Sequence, residues 1–211
     1  MSKTKKLLIA AVCLVAILTS AVVGTIAWLT DKTATVTNTF SPSNINITLT
    51  ETKGTGSSET AKDFKMVPGT TIDKDPVVTV KANSEACWLF VKIDESANFG
   101  DFMTYAIADG WTKLTTVQGV SGVFYRKVDA SSTADQSFGI LGEGTLTVNS
   151  ITCTWDTDEV LVLPTVTKTA MNALTEANYP TLTFTAYAIQ QAGIENDASV
   201  AWAAASAQAT P

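Results

Sequence analysis

No histidine occurs in the 211 residues. That absence removes the commonest general base and the commonest zinc ligand together, and with them a zinc protease of the H-E-x-x-H kind. Cysteine is scarce as well, at three residues, and without histidine neither Cys87 nor Cys153 has the partner that would activate a thiolate. Clustered Lys and Arg are missing beyond the first few positions, so no row of cations is offered to nucleic-acid phosphates. Acidic groups gather in two places, Asp73 with Asp75 and Asp156 with Asp158 and Glu159. Neither has the spacing or the glycine of an EF-hand loop, and both read as solvated turn carboxylates. No catalytic, cofactor or metal residue is assigned, and the chain is read as a non-enzyme.

What is present begins with a membrane signal. Lys3, Lys5 and Lys6 precede an uncharged apolar run from Leu7 to Leu29, which can span a bilayer at about 1.5 Å per helical residue. The lysines hold the start on the cytoplasmic side. Thr25 and Ala27 put small residues at the two positions that a signal peptidase pocket inspects, so a cut after Ala27 is expected, with Trp28 as the first mature residue. An uncleaved anchor is the alternative. Lipid attachment at Cys13 is not expected, because Val12 stands where a lipobox needs a small residue. Leu163-Pro164-Thr165 is close to a sortase signal, but Val166 replaces the required glycine.

Losing the three lysines with the leader takes the formal charge from −6 to −9. Such a surface repels its own kind and suits a soluble surface protein. Threonine dominates the polar residues, and its β-branching fits the wet face of a pleated strand. Outside the cell Cys87 and Cys153 have two options, one disulfide or two packed thiols.

Thr33 to Phe40 places threonine at every odd position and Ala34, Val36, Asn38 and Phe40 at the even ones, which predicts a strand with one buried side. Ile45, Ile47 and Leu49 resume the alternation after Pro42. Residues 53–62 read as a loop, and Pro68-Gly69 as a type II turn. Val77 to Lys81 and Ala86 to Ile93 are clear strands. In the second, Cys87, Leu89, Val91 and Ile93 share one face while Trp88 and Phe90 make the other apolar, so the strand is expected to be central or covered.

Phe99 to Tyr105 fits a short helix or a strand. Trp111 to Val117 and Val123 to Val128 flank a hairpin loop, and Gly142-Glu143-Gly144 reads as a turn. Thr145 to Trp155 changes parity near Asn149-Ser150, which predicts a bulge or corner within the strand. Val160 to Leu163 is a short strand, Lys168 to Ala177 a helix, and Leu182 to Ala188 the last strand. The alanine-rich tail from Asn196 or Asp197 predicts a helix carrying Val200 and Trp202.

About nine strands with two small helices predict an all-β fold, a jelly-roll-like β-sandwich with short accessory helices behind an N-terminal signal or transmembrane helix. The divisions are residues 1–27 as signal peptide, 28–43 as an extended segment, 44–195 as the sandwich and 196–211 as a helical tail.

The basic start, the apolar run, Gly24-Thr25-Ile26-Ala27-Trp28-Leu29-Thr30-Asp31 and then Asn38-Thr39-Phe40 resemble the N-terminal signature of proteins processed by the SipW-type signal peptidase. That group includes the TasA and camelysin proteins of biofilm matrix. Pro68-Gly69-Thr70, Ala86 to Lys92 and Phe184 to Ala188 are similar to the same group. The resemblance implies an exported jelly-roll subunit, found in extracellular matrix or at the cell surface, that polymerises head to tail by donating its N-terminal strand to the next copy. It also implies the SipW-type peptidase and an accessory matrix or anchoring protein as partners, with membrane contact before cleavage.

The residues suit such a donor, since Val36 and Phe40 would set register in a neighbour's sheet while the backbone supplies hydrogen bonds. The contact does not close on itself, so fibres follow. Alternatively the same strand completes its own sheet. A further alternative is a monomeric or anchored surface domain for adhesion or ligand binding, with Trp111, Tyr125, Trp155 and Tyr187 stacking on sugars if they are exposed together.

Overall fold

Strand-forming residues dominate the computed structural model, which describes residues 2–9, 11, 13, 44–53, 64–194 and 196–208. The chain divides into two units, Met1–Ser41 and Pro42–Pro211. In the first, residues 3–9 are helical and exposed. Thr25, Ala27 and Trp28, and the donor residues Ala34, Val36, Asn38 and Phe40, lie outside the described residues. Among the described residues no helix is long and apolar enough to cross a membrane.

The second unit is all-β with short helices. Its early strands are β1 (Ile47–Thr50), β2 (Thr71–Asp73), β3 (Val77–Val80), β4 (Cys87–Glu95), β5 (Met103–Thr104), β6 (Ala106–Ile107) and β7 (Thr112–Lys113). The later ones are β8 (Val123–Val128), β9 (Gln136–Gly139), β10 (Leu141–Gly142), β11 (Gly144–Val148), β12 (Ile151–Trp155), β13 (Glu159–Val162) and β14 (Leu182–Gln190). Helices α1 (Phe99–Phe102), α2 (Lys168–Asn172) and α3 (Ala198–Gln208) are joined by a 3-10 turn at Glu176–Asn178. Residues 99–105 therefore form a helical turn and then a two-residue strand, where the sequence fits either.

Two sheets face each other across the main core. One has the order β1-β3-β9 and the other β14-β4-β8-β7, both antiparallel. Val78 and Val80 point inward from the first sheet to meet Cys87, Leu89, Val91 and Ile93 from the second. This alternation is the strand period of two made visible in burial. The opposite face of β4, with Trp88 and Phe90, forms a second core with Ala201, Trp202 and Ala205 of α3. Thus β4 is both central and covered, which accounts for its two apolar faces.

Helix α3 starts where expected, with the Asp197 carboxylate accepting from the Ser199 amide at 2.9 Å and the Val200 amide at 3.3 Å. Those bonds satisfy amides that have no partner within the helix. The helix is no free tail: Trp202 is buried, while Val200 faces out.

Three local expectations are corrected. Asn149 and Ser150 have φ of 50° and 64°, and Val148 pairs with Ile151, so residues 144–155 form a two-residue hairpin rather than one bulged strand. Two consecutive left-handed residues match a type I′ turn, and the parity change is the chain reversing. Gly142-Glu143-Gly144 is not a turn but a link between β10 and β11, which belong to different sheets. A Cβ at Gly144 would lie 2.1 Å from the Trp155 ring, so close approach rather than turning requires glycine there. Of residues 111–117 only Thr112–Lys113 pairs, because Trp111 and Leu114 enter different cores. The Pro68-Gly69 turn is type II as expected, with Gly69 at φ 79° and the Thr70 amide donating to the Val67 carbonyl at 3.1 Å.

Candidate functional site

The two facing sheets are closed by side chains along one side, and along the other their edge strands come within 8 Å of each other, Cα to Cα. On the closed side Trp111 Nε1 donates to the Gly139 carbonyl at 2.8 Å. Arg126 lies beside it, its guanidinium carbon 3.9 Å from the Phe138 ring centroid, and burial lowers its pKa. These side chains plug the space between β8 and β9. On the other side β1 and β14 run at the outer edges of their respective sheets. Among the described residues β1 pairs only with β3 and β14 only with β4.

At one end of this edge pair lies a groove of about 1700 Å³. Leu49 and Thr50 of β1 line one margin, and Leu182, Thr183 and Phe184 of β14 the other. The wall comes from the segment carrying α2 and the 3-10 turn, through Met171, Leu174 and Tyr179. That wall is tied down locally. Asn98 Nδ2 donates to the Asn178 carbonyl at 2.9 Å, and the Thr181 amide donates to Ser96 Oγ at 3.0 Å. The predicted helix over 168–177 shortens to Lys168–Asn172, capped by Thr167, whose hydroxyl accepts from the Ala170 amide at 3.2 Å.

A part-buried ion pair sits in the groove. Lys74 Nζ reaches both Glu51 carboxylate oxygens at 3.0 Å, and the two side chains retain only 12% and 15% of their exposure. The ammonium also lies 5.1 Å from the Phe64 ring and 5.4 Å from the Phe184 ring. Two aromatic faces thus add to the carboxylate in holding one cation. Backbone edges, apolar side chains and one neutralised pair are features suited to receiving an extended peptide: hydrogen-bonding rows at the margins and pockets for alternate side chains between them.

The acidic groups are taken by the protein itself. Asp75 accepts from the Thr52 amide at 3.0 Å, from the Lys53 amide at 2.7 Å and from the Thr52 hydroxyl. Burial acts to raise its pKa, but these hydrogen bonds outweigh it and hold the carboxyl below its ordinary value. Asp73 pairs with Lys53 at 3.2 Å, and Glu159 accepts from the Asp156 amide at 2.9 Å. No group of three or more potential metal-ligating side chains occurs among the described residues.

A depressed folded-state pKa stabilises the fold above the unfolded value and is lost as pH falls through the folded one. The Asp75 clasp on Thr52 and Lys53 therefore persists down to pH 3.8 and releases below it. In an NMR titration the Thr52 and Lys53 amide resonances should move with one inflection below 3.8, absent in Asp75→Asn; an inflection above that value would contradict the clasp.

The two cysteines are free thiols. Cys87 points into the main core, where burial raises its pKa to about 11, and Cys153 lies in the β11–β12 hairpin. In this structure the two thiols are unpaired, Cys87 buried and Cys153 half-buried.

The four aromatic residues considered for sugar stacking do not share a surface. Trp111 and Trp155 are buried, and Tyr125 and Tyr187 pack under α3. Sequence reasoning missed Glu51, Lys74 and the β14 margin. The apolar alternation of 182–188 signalled the strand but not which of its edges stays unpaired. Comparison of the chain with known families, curated proteins and solved structures gave no match in any of the three.

Proposed function

We propose that this chain is a secreted structural subunit of extracellular or matrix fibres, assembling head to tail as each copy lays its N-terminal segment into the groove of the next. In this reading the second unit is a jelly-roll-like sandwich. The leader is cut after Ala27 by a SipW-type peptidase, and residues 28–43 become the donor. The observation that carries the reading is the groove beside β1 and β14, strands that each leave one edge without a backbone partner among the described residues. Unpaired edges are a liability that proteins cover or blunt, and a strand from another copy added to one of them would cover it.

The stretch from Ala34 to Phe40 would span about 23 Å when extended, less than the roughly 30 Å of β14 and more than the roughly 13 Å of β1. Its alternation would send Ala34, Val36, Asn38 and Phe40 toward the groove and its threonines outward. The buried aromatics give a glycan-binding reading no support.

The test compares protein beginning at Trp28 with protein beginning at Ser43, by light scattering and negative-stain microscopy. Filaments are expected from the longer form only. Filaments from both, or a soluble monomer from both with the shorter merely less stable, would reject donation by this segment.

A further inference from the structure

We propose that the hairpin β11–β12 is a self-association surface, through which two copies of this chain pair their β12 edges antiparallel about Cys153. This contact does not involve the N-terminal segment or the groove.

The hairpin is a sheet of two strands that pairs with no other strand among the described residues. Such a ribbon is marginal in water, and its outer edges are open to any extended chain. Exposed edges elsewhere in proteins carry lysine, proline or a bulge to prevent this. Here residues 144–155 contain no charge and no proline, and four of them are threonine. Charges stand just outside the stretch, at Glu143 and Asp156. In a chain of net charge −6 two copies repel, and an uncharged edge is where that repulsion is least.

The sequence of β12 names a second copy as the occupant. A two-fold axis through Cys153 sets Thr152 opposite Thr154 of the other copy, Cys153 opposite its counterpart, and Ile151 opposite Trp155. Threonine pairs are favourable cross-strand combinations, and no like charges meet, while the Trp155 ring stays buried over Gly144 of its own copy. The pairing ends where Asp156 would come opposite Ser150. Within one copy Thr147 and Thr152 hydroxyls already bond at 3.0 Å, and the second copy extends that row. Both strands expose two threonines, but only β12 also exposes a large apolar side chain, Ile151, whose partner Val148 on β11 is half-buried. Because the same patch serves both copies, the contact closes on itself and joins molecules side by side.

Residues directly opposite in antiparallel strands have Cα atoms about 4.5–5.5 Å apart, inside the range a disulfide needs. The test uses the full chain carrying Cys13→Ser, treated with diamide, which takes up the two hydrogens released as two thiols join. Cys87 is fully buried with its thiol raised to about 11, and so stays unreactive. A reducible dimer is expected, mapped by peptide mass spectrometry to a Cys153–Cys153 junction. Adding Thr152→Lys and Thr154→Lys, both exposed positions, places like charges opposite each other and is expected to cut the yield by about tenfold. Circular dichroism checks that this variant is folded. No Cys153–Cys153 junction in the Cys13→Ser chain, or an undiminished yield in the folded lysine variant, would overturn the proposal; if the lysine variant fails to fold, the junction in the Cys13→Ser chain decides alone.

Discussion

Lys74→Met is expected to destabilise the fold by about 3–5 kcal/mol, because it leaves the Glu51 carboxylate in the groove without its cation. Glu51→Leu alone should cost a similar amount by stranding the ammonium. The double variant Lys74→Met with Glu51→Leu should recover most of the loss, since replacing both charges removes the desolvation cost together with the attraction. Urea unfolding of the three variants decides the matter. Single-variant losses under about 1 kcal/mol would mean that the pair behaves as a solvated one. The cycle also isolates the pair from the stacking of Lys74 on Phe64 and Phe184, which both Lys74 variants lose alike.

Trp202→Ala should be comparably severe, at about 3–5 kcal/mol. The indole fills the second core, 5.5 Å from the Phe90 ring centroid and 5.1 Å from that of Tyr187. Its loss leaves α3 with only small alanines to hold it on the sheet. Val200→Ala, on the outer face of the same helix, should change stability by no more than about 0.5 kcal/mol. Thermal unfolding followed by near-ultraviolet dichroism would compare the two. Equal effects would mean that the helix is not held by its buried face.

The helix was legible before the fold was known, since an acidic cap and an alanine-rich run announce it, but the contrast between Val200 and Trp202 on it was not; it depends on which side the sheet lies. The two-faced pattern of residues 87–93 likewise declares a central strand, because both faces must be filled wherever that strand lies. The hairpin at Asn149-Ser150 was not legible in the same way. A bulge and a reversal both shift parity by one, and only the two positive φ angles distinguish them.

The groove was the least legible part. Glu51 and Lys74 stand at the ends of different elements, with nothing local marking them as partners. They meet because Thr50 pairs with Val77, a register set by turns and side-chain alternation far from either charge. Single sequences carry periodicity well and pairing poorly, and a site made of strand margins is a matter of pairing.

The antiparallel partnership of β4 with β14 also bears on when the fold can form. Leu182 pairs with Glu95 and Gln190 with Cys87, so the central strand gains its second neighbour only after residue 190 has been made. The helix that covers its outer face comes later still. Contacts so distant in sequence form slowly, after loop closure has been overcome. A ribosome would release nearly the whole chain before its middle sheet could close. Until then β4 has β8 as its one strand neighbour among the described residues, and its outer face with Trp88 and Phe90 lacks the cover of α3.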